Sequence, residues 1–170
     1  KGPRDDFGAS VWFSISIGPQ RGVEDAVRAL PLIDVPAELH LRGRMLPGYE
    51  HELRQLIASI GVADRVHIHP LAPPRDVLRA AAEYDIGLVL TQPCCENHEL
   101  AVPNKVYAYM MSGLAVGATA TRGHRCVLDG LDVGFEYAPG NAAEFAAGVT
   151  EVLAYGTAVR LRQPHPNTER

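Results

Sequence analysis

The chain has 170 residues, 46% of them hydrophobic, and a formal charge of -4, enough apolar material for one core and no global positive field to gather nucleic acid. No apolar run approaches the ~20 residues that span a bilayer, and the N-terminal KGPRDDFG lacks the charged-then-apolar order of a signal peptide. Three cysteines, two of them adjacent, are too few for a disulfide framework, so a reducing, cytoplasmic setting is expected.

Residues 1–10 read as a linker, residues 11–155 as one domain, and residues 156–170 as a polar C-terminal tail, as in a part of a larger protein. The β-branched and aromatic run Val11 to Ile17 is the first expected strand, followed by the turn formers of GPQRG. From Val23, VEDAVRALPLI spaces Val27, Leu30 and Ile33 as a helix does, with Glu24 and Asp25 in the first turn. AELHLRG is the second strand, and YEHELRQLIASIGV sets Leu53, Leu56, Ile57 and Ile60 on one helical stripe that Gly61 stops. The order repeats with RVHIH as strand, PRDVLRAAAEYD as helix, DIGLVL as strand, PNKVYAYMMSG as helix and LAVGAT as strand. A short helical turn at His124 to Leu128, the strand VGFEYAP and the long helix NAAEFAAGVTEVLAYG complete the chain.

Alternating strands and helices with connections of this size predict a doubly wound α/β domain, with six parallel strands covered by helices on both faces. DIGLVL and LAVGAT are apolar throughout, as central strands buried on both faces must be. Ligands of such sheets bind beyond the carboxyl ends of the strands, where Arg21, Arg42, Arg44, Lys105, Arg122, Arg125 and Thr119 all fall. Cations gathered on one rim of an acidic domain suit a small anion such as a diphosphate. Neither GxGxxG nor GxxxxGK[ST] occurs, which disfavours a standard NAD enzyme and a P-loop NTPase.

The connection TQPCCENHELAVPNK is long and polar for a simple turn. Pro103 suits a helix start, which places Asn104 and Lys105 in the first turn, and a lysine there opposes the helix dipole unless Glu96, Glu99 or a bound phosphate compensates it. Cys94, Cys95 and His98 lack a second Cys/His pair to complete a tetrahedral metal set, so no metal is expected there. His40, His67 and His69 read as satisfied histidines of strands, with His69 near enough to a strand end to stay a site candidate. Tyr107, Tyr109, Met110 and Met111 read as core.

The segments YDIGLVLTQPCCENHELAVPNKVYAYMMSGLAV, LHLRGRMLPGYEHELRQLIASIGVADRVHIHPLAP and VLDGLDVGFEYAPGNAAEFAAGVTEVLA together resemble, in sequence order, the C-terminal half of GT-B glycosyltransferases of the GT4 kind. The resemblance runs from about Val11 to Leu153. It implies a Rossmann-like half of a GT-B fold that binds a nucleotide-diphosphate sugar, needs no other cofactor, and works with a separate N-terminal acceptor domain. A retaining transfer is implied too, and membrane association of the full-length protein stays open. On the same resemblance Arg21, between Gly18 and Gly22, matches the cation that meets the donor diphosphate, and Lys105 with Asn104 matches the segment near phosphate and sugar. HPLAP, with His69 and Leu71, matches the segment that cradles the base. Many members carry two glutamates separated by seven residues; here the first position holds Leu100, beside Glu99 and Glu96, and the second holds Ala108. Arg21, Lys105 and Glu99 are therefore the expected catalytic residues, and Gly18, Gly22, His69, Leu71, Glu96, Asn104 and Ala108 the expected donor contacts. The glycine-arginine pair of the family's first strand exit is replaced by SISI. A non-catalytic binding module on the same scaffold and a sugar-nucleotide epimerase half remain the alternatives.

Overall fold

The computed structural model describes residues 9–155. Six parallel strands, β1 (Ala9–Ile17), β2 (Ala37–Met45), β3 (Val66–His69), β4 (Ile86–Val89), β5 (Ala115–Thr119) and β6 (Gly134–Tyr137), form one sheet in the order β3-β2-β1-β4-β5-β6. This is the doubly wound order with its reversal between β1 and β4, the place where such sheets open a crevice for ligands.

The helices are α1 (Val23–Ala29), α2 (Tyr49–Ile60), α3 (Val77–Ala81), α4 (Glu96–Leu100), α5 (Lys105–Ser112), α6 (Arg122–Leu128) and α7 (Ala142–Tyr155). One apolar cluster joins α1, α2 and α7 to the sheet through Val27, Leu53, Ile57, Phe145 and Val149, which meet Leu39 and Leu41 of β2 and Leu88 of β4. A second cluster on the opposite face joins α3, α5 and α6 to β4 and β5 through Ala81, Val106, Tyr109 and Leu128 against Val89, Val116 and Ala118. The expected three-layer architecture is thus observed, and β4 and β5 are buried along their whole length, as their unbroken apolar sequences require. None of the described helices is long and apolar enough to cross a membrane.

Several expected elements change in detail. β1 begins at Ala9, two residues before the expected start, because its backbone pairs with β2 from Ala9 onward. The first helix keeps its α form only to Ala29; Leu30–Leu32 continue as a 3-10 turn around Pro31, which lacks the N–H that an α-helix needs at that point. PRDVLRAAAEYD shortens to a 3-10 turn at Pro74–Asp76 followed by α3, after which the Tyr84 N–H bonds Ala81 O at 2.9 Å and turns the chain into β4. The long connection contains a helix of its own, α4, which the sequence reading treated as loop. Tyr107 and Met111, expected in the core, are 47% and 76% exposed on α5, whereas Tyr109 is buried with its ring over Gly87. The cysteines are free and exposed.

Candidate donor-binding site

The carboxyl ends of β1, β4 and β6 are tied together by one buried carboxylate. Asp25, on the first turn of α1 and only 7% exposed, accepts hydrogen bonds at Oδ2 from Gln92 Nε2 at 3.0 Å, Tyr137 OH at 3.2 Å and the Gly140 N–H at 3.0 Å. Three donors converge on it, one from the loop after β4, one from the end of β6 and one from the loop after β6, so the crevice floor is held as a unit. Burial, and then Asp25 itself, push the Tyr137 phenol far above its usual range, which keeps it a donor. Beside this knot Tyr49 donates to Glu24 Oε1 at 2.6 Å and links α2 to α1.

The β1–α1 loop turns sharply into α1. Gly22 sits at φ +74°, and a Cβ there would strike Leu90 O, so both conformation and space demand glycine. Gln20 also adopts a positive φ of 62°, and its Oε1 receives the Cys94 thiol at 3.5 Å, joining this loop to the one after β4. Gly18, also buried, is packed against the Leu46 side chain.

Arg21 is exposed on that loop and Lys105 is partly buried at the start of α5. Burial, and after it the charge of Arg21, lower the Lys105 ammonium to a pKa of about 7. Two cations, one on the β1–α1 loop and one at the start of α5, thus press on each other across the crevice, an arrangement that an anion between them relieves. On the far side Thr119, fully buried, donates through its hydroxyl to Thr91 O at 2.7 Å and pins the start of the β4 loop. His124, also fully buried, donates from Nδ1 to Thr119 O at 2.7 Å, and its Nε2 has no hydrogen-bond partner. Burial holds His124 below the usual imidazole range, Lys105 adds to that effect and Glu99 opposes it, so these three side chains share one electrostatic neighbourhood. Thr121 caps α6 by accepting the His124 N–H at 3.2 Å, and Gly123 lets α6 approach the carbonyls of Leu100 and Ala101.

A family model described as "Glycosyl transferases group 1" matches residues 10–155. The chain belongs to that glycosyltransferase family. Among solved structures, Anabaena Alr3699/HepE in complex with UDP and glucose superposes with a TM-score of 0.75 at 22% identity, over 88% of this chain and 40% of that one. The lipopolysaccharide outer core galactosyltransferase WaaB, in its apo form, gives 0.73 at 18% identity over 91% and 42%. The C-terminal domain of the Francisella tularensis group 1 glycosyl transferase LpcC gives 0.64 at 13% identity over 86% of this chain and 85% of that domain. No curated protein matches the sequence. The glycosyltransferase chain spans less than half the length of HepE and WaaB, and its fold corresponds to one Rossmann-like half of a GT-B enzyme.

Within this glycosyltransferase domain, Gly18, Arg21, Gly22, Asn104 and Lys105 lie on the rim flanking the β1/β4 reversal. Ala108 stands one turn after Lys105 on α5, its N–H bonded to Asn104 O at 3.1 Å. Glu96 is exposed at the start of α4. The carboxylate expected to compensate Lys105 is engaged elsewhere: Glu99 Oε1 accepts the Arg122 N–H at 3.1 Å and lies 3.5 Å from Arg122 Nε. His69 ends β3, the edge strand three positions from β4, and Leu71, half exposed, lies in the loop that follows. At about 4.8 Å per strand that separates them from the Lys105 end by roughly 14 Å, so a ligand touching both ends is elongated.

The sequence reading missed His124, Asp25, Gln92 and Tyr137. For His124 a local signal existed in Thr121-Arg122-Gly123-His124, a helix-capping threonine after an apolar strand. For the other three no signal was available, since they meet only through contacts spanning 67 and 112 residues.

Proposed function

We propose that this chain is the donor-binding half of a glycosyltransferase and holds a nucleotide-diphosphate sugar along the carboxyl rim of the sheet. The observation that carries the reading is the Arg21–Lys105 pair: one cation from the β1–α1 loop and one from the start of α5, the latter with its pKa lowered to about 7, at the strand-order reversal. The UDP and glucose present in the HepE complex support the ligand class. In this reading the diphosphate lies between Arg21 and Lys105, the base extends toward His69 and Leu71, and the sugar lies toward Asn104, Glu96, Glu99 and His124. Breaking the bond between the anomeric carbon and the diphosphate oxygen leaves negative charge on the leaving group, which the two cations stabilise where it develops. The acceptor oxygen comes from a substrate held by a separate N-terminal domain, and the transfer is of the retaining, GT4 type in a cytoplasmic enzyme.

Two tests bear on this reading. The 170-residue chain is expected to bind a nucleoside diphosphate without transferring sugar, because the acceptor is held elsewhere; release of free diphosphate coupled to glycoside formation by this chain alone contradicts that. Ala108→Glu places an acid one turn beyond Lys105, where it reaches ribose hydroxyls in the proposed pose. A gain of about 1.5 kcal/mol or more in calorimetric affinity for UDP is expected from one new hydrogen bond to a charged group, and an unchanged affinity places the ribose elsewhere.

A further inference from the structure

The face of β2 and β3 opposite the α1/α2 core carries polar side chains where the second apolar cluster does not extend. Parallel register sets His40 beside His67, and Glu38 precedes His40 by two residues on the same face. His40 Nε2 lies 3.3 Å and His67 Nε2 3.4 Å from the same oxygen, Glu38 Oε2. The first contact is a hydrogen bond at the long end of the range, whose mode is about 2.9–3.0 Å, and the second makes no hydrogen bond at all. Both separations equal the spacing between ligands on a tetrahedral ion at bond lengths of about 2.0–2.1 Å, which is roughly 3.3–3.4 Å.

We propose that Glu38, His40 and His67 form a three-ligand binding site for a divalent transition metal of the zinc class. Three further observations support the assignment. His67 Nε2 is buried and makes no hydrogen bond, so it has a lone pair or a proton without a partner. His40 Nδ1 lies 2.9 Å from His69 Nε2; donation along that contact leaves the Nε2 of His40 as the free lone pair facing Glu38. An outer partner that fixes the tautomer in this way is the usual support of a metal-bound imidazole. Finally, the His40 ring is clamped between the parallel His69 ring at 5.2 Å and the edge of Tyr84 at 5.0 Å, and the ligands stand on strands rather than on a loop. The donor set of two imidazoles and a carboxylate suits Zn²⁺ or Co²⁺ over the hard cations Mg²⁺ and Ca²⁺. The site lies away from the Arg21–Lys105 crevice and does not depend on the donor-binding reading.

Cys94, Cys95 and His98 also bring three ligand atoms together, in the exposed segment leading into α4. The test therefore begins from the Cys94→Ser, Cys95→Ser double variant, titrated with Zn²⁺ alone by calorimetry. One equivalent is expected to bind, and Glu38→Gln or His67→Gln in that background is expected to weaken binding by about tenfold or more, with the far-ultraviolet circular dichroism unchanged. Substitution by Co²⁺ is expected to show ligand-field bands without thiolate charge transfer. Loss of Zn²⁺ binding on removing the cysteines, or full binding by both the Glu38→Gln and His67→Gln variants, overturns the proposal.

Discussion

Lys105→Met and Arg21→Ala are each expected to weaken UDP binding at pH 6.5 by about 1.5–3 kcal/mol, the range for a hydrogen bond to a charged group, which is roughly tenfold to over a hundredfold in Kd. The two substitutions differ in their pH signatures. In the free protein Lys105 loses its proton near pH 7, so wild-type affinity is expected to fall as pH rises from 6 to 9, with proton uptake on binding in the upper part of that range. Calorimetry in buffers of different ionisation enthalpy reads that uptake directly. Lys105→Met is expected to abolish it, whereas Arg21→Ala leaves Lys105 in place with its neighbouring charge removed and moves the uptake to higher pH. Binding unaffected by both substitutions places the diphosphate elsewhere.

The same lysine links function to stability, with a sign that follows from its lowered pKa. Between about pH 7 and the ordinary lysine value of 10.5 the unfolded chain holds a proton at Lys105 that the folded chain does not. Stability from this group therefore rises with pH across that window, and the burial of the ammonium costs most below it. Lys105→Met is accordingly expected to raise Tm at pH 6 while it removes ligand affinity, the exchange of stability for function that a binding site built on a desolvated cation entails.

Asp25→Ala is the substitution expected to harm folding most. It strips the shared acceptor from Gln92, Tyr137 and the Gly140 N–H in a site that is 7% exposed, and each stranded donor costs about 1–3 kcal/mol where water does not reach it. A loss of about 3 kcal/mol or more in unfolding free energy is expected by urea titration, seen as a lower midpoint. Asp25→Asn keeps an acceptor oxygen in the same volume and is expected to lose less. Glu24→Ala, one residue earlier, removes a single partner of Tyr49 and serves as the control. Equal effects at positions 24 and 25 would show that the three-way convergence adds nothing.

The alternation of elements was readable because its signals are local. DIGLVL and LAVGAT carry no polar alternation and became strands buried on both faces; the stripe of Leu53 and Ile57 became the buried side of α2; Gly61 became its left-handed cap at φ +77°. The resemblance in PNKVYAYMMSG led to the family that the model match then established. Local signals misled where a helical pattern met proline, as at Pro31, and where apolar side chains on a periodic segment face solvent, as Tyr107 and Met111 do. Period and composition report that a residue fits a helix, but not which side of that helix meets the sheet.

By itself, then, the sequence determined the α/β class, the β-strand and helix order, and the presence of Arg21 and Lys105 in segments that a parallel sheet must bring to one rim. Only the tertiary structure decided the rest. It buried Lys105 and brought Arg21 near it, which together lower the lysine's pKa, and it engaged Glu99 with Arg122. It brought Gln92, Tyr137 and the Gly140 N–H together on Asp25 and set His40 and His67 against one oxygen of Glu38. The reason is range: propensity and periodicity act over a turn or a strand, whereas a shared electrostatic field or a common acceptor exists only after residues distant in the chain have been packed side by side.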